Sequence, residues 1–241
     1  MNMPYEAYES GQYLANNPTW DIEDSPWKAS EVLKILARNR LSPGNLVDVG
    51  CGAGGILAHL QRCEPDGQYS GYEIASSAEP FWAQYRERGI SFKVEDFLKT
   101  HTAQFDTLLL MDVIEHLPNP FDFLRALYGR SKFYVLHIPL DLSSISVARE
   151  TPLLRVREKV GHIHYYTKGL AMALILECGY EVIDWHYTGA SLTGTRGSWK
   201  TRLARWPRRL LYSLNRDWGV RLLGGDTLIV LARCNALSNK V

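Results

Sequence analysis

The 241-residue chain has room for one sizeable α/β domain with a proper core, and two full domains would be cramped. Its composition, 46% hydrophobic and 22% charged, is that of an ordinary globular protein, and no apolar run approaches the roughly 20 residues that span a bilayer. The net charge of +1 is uneven: residues 1–189 carry 17 basic against 24 acidic side chains (−7), whereas residues 190–225 carry 8 against one (+7), so an acidic body that disfavours a nucleic-acid groove holds one basic segment.

The first residues, Met1 to Glu6, have neither a basic n-region nor an apolar h-region, which predicts no signal peptide. Residues 1–27 are rich in aromatics (Tyr5, Tyr8, Tyr13, Trp20, Trp27) and in turn formers, and two readings stand: a lid over a ligand mouth, or an aromatic-anchored tail. Ser25 and Pro26 read as an N-cap and first helical residue, opening a helix that runs to about Arg40. The domain proper is taken as residues 28–241. Leu46, Val47 and Val49 form a short apolar run typical of a buried parallel strand, followed by Gly50, Gly52, Gly54 and Gly55 and a helical stretch from Ile56 to Leu60. Such glycines admit a sharp turn and close approach of a ligand, and the helix behind them points unpaired N–H groups at it.

Further strands are predicted at 68–74, 90–94, 105–111, 133–138, 180–187 and 227–232, with helices at 76–88, 120–128 and 167–176 between them. This alternation predicts a doubly wound, mostly parallel seven-stranded sheet with helices on both faces. Residues 140–166 read as irregular. Cys51, Cys63, Cys178 and Cys234 are scattered, without a C-x-x-C pair or metal-like spacing, and read as reduced thiols of a cytoplasmic protein.

The glycines have two readings. Gly50, Gly52 and Gly55 satisfy the dinucleotide pattern G-x-G-x-x-G, with Glu73 as the following acid; Gly50, Gly52 and Gly54 satisfy a tighter G-x-G-x-G preceded by Asp48. The other marked residues fall at strand carboxyl ends, where open parallel sheets bind ligands: Glu73, Asp96, Asp112 and Pro139. The run Val-Asp-Val-Gly-Cys-Gly-Ala-Gly, the acid after strand two, Glu-Asp-Phe after strand three and Asp-Val-Ile-Glu-His-Leu after strand four together resemble the class I S-adenosylmethionine-dependent methyltransferases. The resemblance covers roughly residues 30–189 and 226–234, and it implies that the last strand is antiparallel.

The resemblance also implies roles. Gly50, Gly52 and Gly54 pass beside the methionine part of the cofactor, and Asp48 holds that loop and meets the cofactor's amino group. Glu73 accepts both ribose hydroxyls, with Ile74 beside it. Asp96 accepts from the adenine amino group and Phe97 lies against the ring. Met111 and Asp112 line the sulfonium end. Cys51 is a small residue chosen for fit around the cofactor rather than a nucleophile.

His116, which follows strand four, is the first candidate general base, and His162 of the His-x-His run at 162–164 is the second; His137, inside a strand, reads as a core or pocket-edge histidine. Spacing shows no third ligand beside the His-x-His run, so no metal is expected. Before the last strand, Trp199, Leu203, Trp206, Leu210 and Leu214 form one apolar helical face among arginines, so residues 190–225 read as a basic helical insertion. It is a cap over the acceptor pocket, a homodimer contact through 198–222, or an interfacial membrane helix. The function expected is methyl transfer to oxygen or nitrogen of a small-molecule acceptor, such as a sugar, a lipid-linked glycan or a natural-product intermediate. The rival readings are an NAD-dependent oxidoreductase and a cofactor-binding protein without catalysis.

Overall fold

The fold is described from a computed structural model over residues 14–15, 17–100, 104–190 and 205–235. Five parallel strands, β1 (Asn45–Val49), β2 (Gln68–Glu73), β3 (Ser91–Val94), β4 (Phe105–Met111) and β5 (Ser131–Leu140), are extended by β6 (Tyr180–Tyr187) and β7 (Asp226–Cys234). The order is β3-β2-β1-β4-β5-β7-β6, with β7 antiparallel to both of its neighbours. The chain starts the sheet at β1 and builds outward in both directions. A crevice therefore opens where β1 and β4 diverge at their carboxyl ends.

The central strands are apolar on both faces because both are covered. Successive side chains of β4 show the period of two: Leu108 and Leu110 join one core with Val47, Tyr134 and Leu136, while Leu109 and Met111 join the other with Leu46, Val135 and Ile229. Helices α1 (Ser25–Arg38) and α2 (Gly55–Cys63) cover the second face through Val32, Ile35, Leu57 and Leu60. After the short α3 (Glu79–Trp82), helix α4 (Pro120–Leu127) covers the first face through Leu124 and Leu127. Each such fully buried leucine is worth about 1.5–3 kcal/mol of transfer free energy.

Four local expectations are corrected. Ser25 is already helical and Asp24 is the cap, because the 3₁₀ turn Ile22–Asp24 runs straight into α1. Pro139 lies inside β5 rather than ending it; β7 pairs beside it, at Pro139↔Thr227. The helical stretch 76–88 is broken into α3 flanked by 3₁₀ turns. Residues 140–166 are not irregular: they hold α5 (Ser144–Arg149) and α6 (Thr151–Val160). The signals for these two helices are in the sequence. Ser143 and Ser146 form a capping box, Pro152 sits in the first turn of α6, and Gly161 closes α6 in a left-handed conformation.

Helix α7 (Lys168–Glu177) starts at the Thr167 cap, as expected, and packs Ala171, Leu174 and Ile175 into the first core. Within 190–225, two helices are described, α8 (Arg205–Leu214) and α9 (Arg216–Leu223); Trp199 and Leu203 lie outside the described residues, as do residues 1–13 of the N-terminal segment. Tyr212 and Val220 bury into the first core, and ion pairs Lys168–Asp217 (2.6 Å) and Arg216–Asp226 (2.9 Å) fasten α9 to α7 and to β7. Leu214 and Trp218 face outward, 77% and 59% exposed. Among the described residues, no helix is long and apolar enough to cross a membrane.

Candidate active site

The loop after β1 bends through three left-handed glycines, Gly50 (φ +81°), Gly52 (φ +49°) and Gly54 (φ +75°). A Cβ on Gly54 would lie 2.6 Å from the Phe92 ring, and one on Gly50 would lie 2.8 Å from Val113, so both geometry and space require glycine. The loop is pinned from β2. Gly50 and Cys51 donate their N–H groups to Tyr72 O, and Glu73 Oε2 accepts from Gly52 N at 3.1 Å. Glu73 Oε1 accepts from Ile74 N (2.8 Å) and Ala75 N (3.1 Å). Holding the loop thus falls to Glu73, a role expected of Asp48. Burial raises the Glu73 carboxyl, and the three backbone donors oppose that shift.

Asp48 lies beneath the loop, fully buried, and among the described residues its carboxylate oxygens have no hydrogen-bond partner. Burial, with the Glu73 charge adding to it, lifts its carboxyl from 3.8 to about 7. The same burial pushes the Cys51 thiol up, which keeps it protonated and unsuited to attack.

A cavity of about 530 Å³ opens over these groups, the size of ordinary small-molecule sites. Its lining takes in Gly50, Cys51, Gly52 and Gly54 after β1; Glu73 and Ile74 after β2; Asp96 and Phe97 after β3; Met111, Asp112 and His116 after β4; and His162. Of the residues expected from sequence to bind the cofactor or to act in catalysis, Asp48 alone is off the wall. Asp96 Oδ1 caps the turn after β3 by accepting from Leu98 N at 3.0 Å, and Phe97 packs edge-on against Tyr72 at 4.9 Å. The fit to S-adenosylmethionine is good: a glycine cradle that any Cβ would fill, an acid at each of three strand ends, and a buried carboxylate, Asp48, without a hydrogen-bond partner among the described residues.

Sequence reasoning missed Lys28 as a site residue, while His137 takes the pocket-edge place expected of it. Lys28 of α1 reaches Asp112 Oδ2 at 2.7 Å, and His137 Nδ1 lies 2.6 Å from Asp112 Oδ1. Asp112 itself sits at φ +58°, a strained conformation held by these contacts. Burial works to raise its carboxyl but is outweighed by His137 and Lys28, which hold it well below the usual carboxylate range. A carboxylate accepts only, so His137 Nδ1 carries a proton; its Nε2 has no partner among the described residues, and the side chain, 2% exposed, is part of the cavity lining. Trp20 and Trp27, expected only as parts of a lid or tail, also line the cavity. Nothing in the spacing of Lys28 or His137 marks them as partners of Asp112; a helix and a distant strand meet only in the fold.

His116 and His162 face each other with ring centroids 4.9 Å apart. Between them lies Glu115, 0% exposed, with Oε1 3.9 Å from Nε2 of each histidine. Burial, then the Asp112 and Asp141 charges, raise the Glu115 carboxyl well above its ordinary value. Burial and the neighbouring His162 lower His116 from 6.5 to about 4. The third group that spacing does not reveal is therefore supplied by the turn after β4: among the described residues, Glu115, His116 and His162 each offer a ligand atom within 4.8 Å of the others.

A model of a methyltransferase domain matches residues 25–184. The chain is 31% identical over 131 residues to ajmaline N-methyltransferase of Rauvolfia serpentina, covering 49% of this chain and 45% of that protein. It is 34% identical over 142 residues to ubiquinone biosynthesis O-methyltransferase of Glaesserella parasuis serovar 5 (strain SH0165), covering 52% and 58%. The matched stretch thus spans about half the length of each relative. Magnesium protoporphyrin IX methyltransferase from Synechocystis PCC 6803, with S-adenosylmethionine bound, superposes with a TM-score of 0.60 over 98% of both chains at 12% identity, which shows a shared fold.

Proposed function

The chain belongs to the methyltransferase family whose domain it matches, and we propose that it moves a methyl group from S-adenosylmethionine to an oxygen or nitrogen of a small-molecule acceptor. The observation that carries this reading is one cavity whose lining includes both the glycine loop with Glu73 and the Asp112, His137 and His162 side chains. That two relatives are an N- and an O-methyltransferase supports both acceptor atoms.

When bound, S-adenosylmethionine supplies a methyl group on a sulfonium, which an acceptor lone pair displaces in line. The rest falls to the chain. Glu73, fixed by three backbone donors that occupy both lone pairs of Oε1 and one of Oε2, keeps the remaining Oε2 lone pair for a ribose hydroxyl. Asp48 contributes buried negative charge beneath the loop, suited to a cofactor ammonium. Asp96, oriented by Leu98 N, accepts from the adenine amino group while Phe97 packs against the ring. Holding donor and acceptor in line is worth on the order of 7–11 kcal/mol. For a hydroxyl acceptor, proton removal falls to His137, whose Nδ1–H is held by Asp112 and whose Nε2 is the basic nitrogen. His116, held down to about 4, is a poor base by comparison. The N-terminal segment, through Trp20 and Trp27, and the 190–225 insertion, through Ala190, reach the cavity lining and suit the roles of lid and cap.

Calorimetric titration with S-adenosylmethionine and, separately, with NAD tests the reading. The wild type binds the methyl donor and not NAD, and Glu73→Ala weakens that binding roughly 100-fold, through the loss of a hydrogen bond to a charged group together with the loop's anchor at Gly52 N. Binding of NAD alone returns the glycine loop to its dinucleotide interpretation.

A further inference from the structure

We infer that Glu115, His116 and His162 form a binding site for a single divalent transition-metal ion of the zinc type. The site stands independently of methyl transfer. Its strongest feature is Glu115. The side chain is 0% exposed, and among the described residues neither carboxylate oxygen has a hydrogen-bond partner. A buried carboxylate left in that state is costly, and proteins resolve the cost by protonating it, by a paired cation or by a coordinated metal.

The two imidazoles are oriented as ligands. His162 Nδ1 lies 2.7 Å from Asp141 Oδ2, and His116 Nδ1 lies 3.2 Å from the carbonyl of Gly161. Both of those oxygens only accept, so each Nδ1 carries the proton and each Nε2 carries the lone pair. Each Nε2 is the atom turned toward Glu115 Oε1, at 3.9 Å. Carboxylate and carbonyl partners behind ligating histidines are the usual outer support of a metal site. Adjacent ligand atoms around a tetrahedral zinc lie about 3.4 Å apart, from bond lengths near 2.1 Å. Closing from 3.9 Å asks roughly 0.5 Å at each carboxylate–imidazole contact, and all three ligand atoms already lie within 4.8 Å of one another. Backbone bonds already clamp the two segments: Ile163 N and His164 N both donate to Glu115 O, at 2.9 and 3.1 Å.

Two nitrogens and one carboxylate favour a borderline ion over magnesium or calcium, which prefer oxygen ligands throughout. Both histidines line the cavity while Glu115 lies behind them, so the ion's remaining position faces the cavity, toward an acceptor oxygen or nitrogen.

The test uses the full chain freed of metal by a chelator and titrated with Zn²⁺ by calorimetry, and with Co²⁺ by its visible absorption. One equivalent binds, and the Co²⁺ spectrum has the intensity of a four-coordinate site. His162→Gln and Glu115→Gln weaken binding by 100-fold or more, Asp141→Asn by roughly 10–100-fold, and the surface change His59→Gln not at all. Binding of S-adenosylmethionine by the same preparations reports whether each variant is folded, and should Glu115→Gln fail to fold, His162→Gln decides. Absence of one-equivalent binding in the wild type, or a loss of less than 10-fold in His162→Gln, overturns the site and leaves Glu115 as a protonated buried acid. Failure to bind S-adenosylmethionine with zinc binding intact would refute the cofactor reading and not this one.

Discussion

Asp48→Asn isolates what a buried, unpartnered carboxylate costs this fold. The group titrates at 3.8 in the unfolded chain and about 7 in the folded one. A raised folded value means that its contribution to stability is fully present below pH 3.8 and is lost as pH rises through about 7. At 1.36 kcal/mol per unit, the cost of folding with Asp48 grows from about 2 kcal/mol at pH 5 to about 4 kcal/mol at pH 8. Asparagine has the same shape and no titration, and whatever its own desolvation costs does not change with pH. The assay is urea unfolding of both proteins, without cofactor, at pH 5 and pH 8. The variant's advantage grows by about 2–3 kcal/mol between the two, a change that histidine titrations common to both chains cannot produce. Parallel stability curves would refute the argument and place water or another partner on the carboxylate. The same variant binds S-adenosylmethionine more weakly, because the destabilising charge is the one proposed to hold the cofactor's ammonium.

Two further outcomes test the frame around the site. Gly54→Ala forces a left-handed alanine at φ +75° against a Phe92 ring that is itself stacked on Trp82, whereas Gly89→Ala meets only the backbone strain, with nothing within 4 Å of its new Cβ. Denaturant midpoints give about 1 kcal/mol for Gly89→Ala and about 2–4 kcal/mol for Gly54→Ala, and equal losses would show that the Phe92 contact relaxes freely. Lys28→Met removes one of the two partners that hold Asp112 and costs about 1–3 kcal/mol at pH 7. Asp112 is depressed in the folded state, so its contribution is present above 3.8 and lost as pH falls further. The gap between Lys28→Met and wild type therefore closes only in strong acid, which acid-unfolding curves followed by circular dichroism would register; a gap that persists there would mean that Lys28 acts through packing alone.

The sequence by itself determined the parallel core and the address of the site. The apolar runs of β1 and β4 are read at once because both sheet faces are covered, and strands buried on two sides need no partner to announce themselves. The glycines after β1, Glu73 after β2 and Asp96 after β3 are also local. They owe their meaning to a strand end, and strand ends are visible in one dimension. Helices α5 and α6 left signals in Ser143, Pro152 and Gly161, but 140–166 reads as irregular because neither helix buries an apolar stripe. Tertiary structure alone decided which side chains meet across the crevice. Lys28 comes from a helix before the sheet, His137 from within β5 and Glu115 from the turn after β4, and each acquires its character from neighbours tens of residues away. A carboxylate's spacing says nothing of its burial. Whether Asp48 titrates at about 7, and whether Asp112 is driven the other way, depends on water excluded and charges brought near by folding.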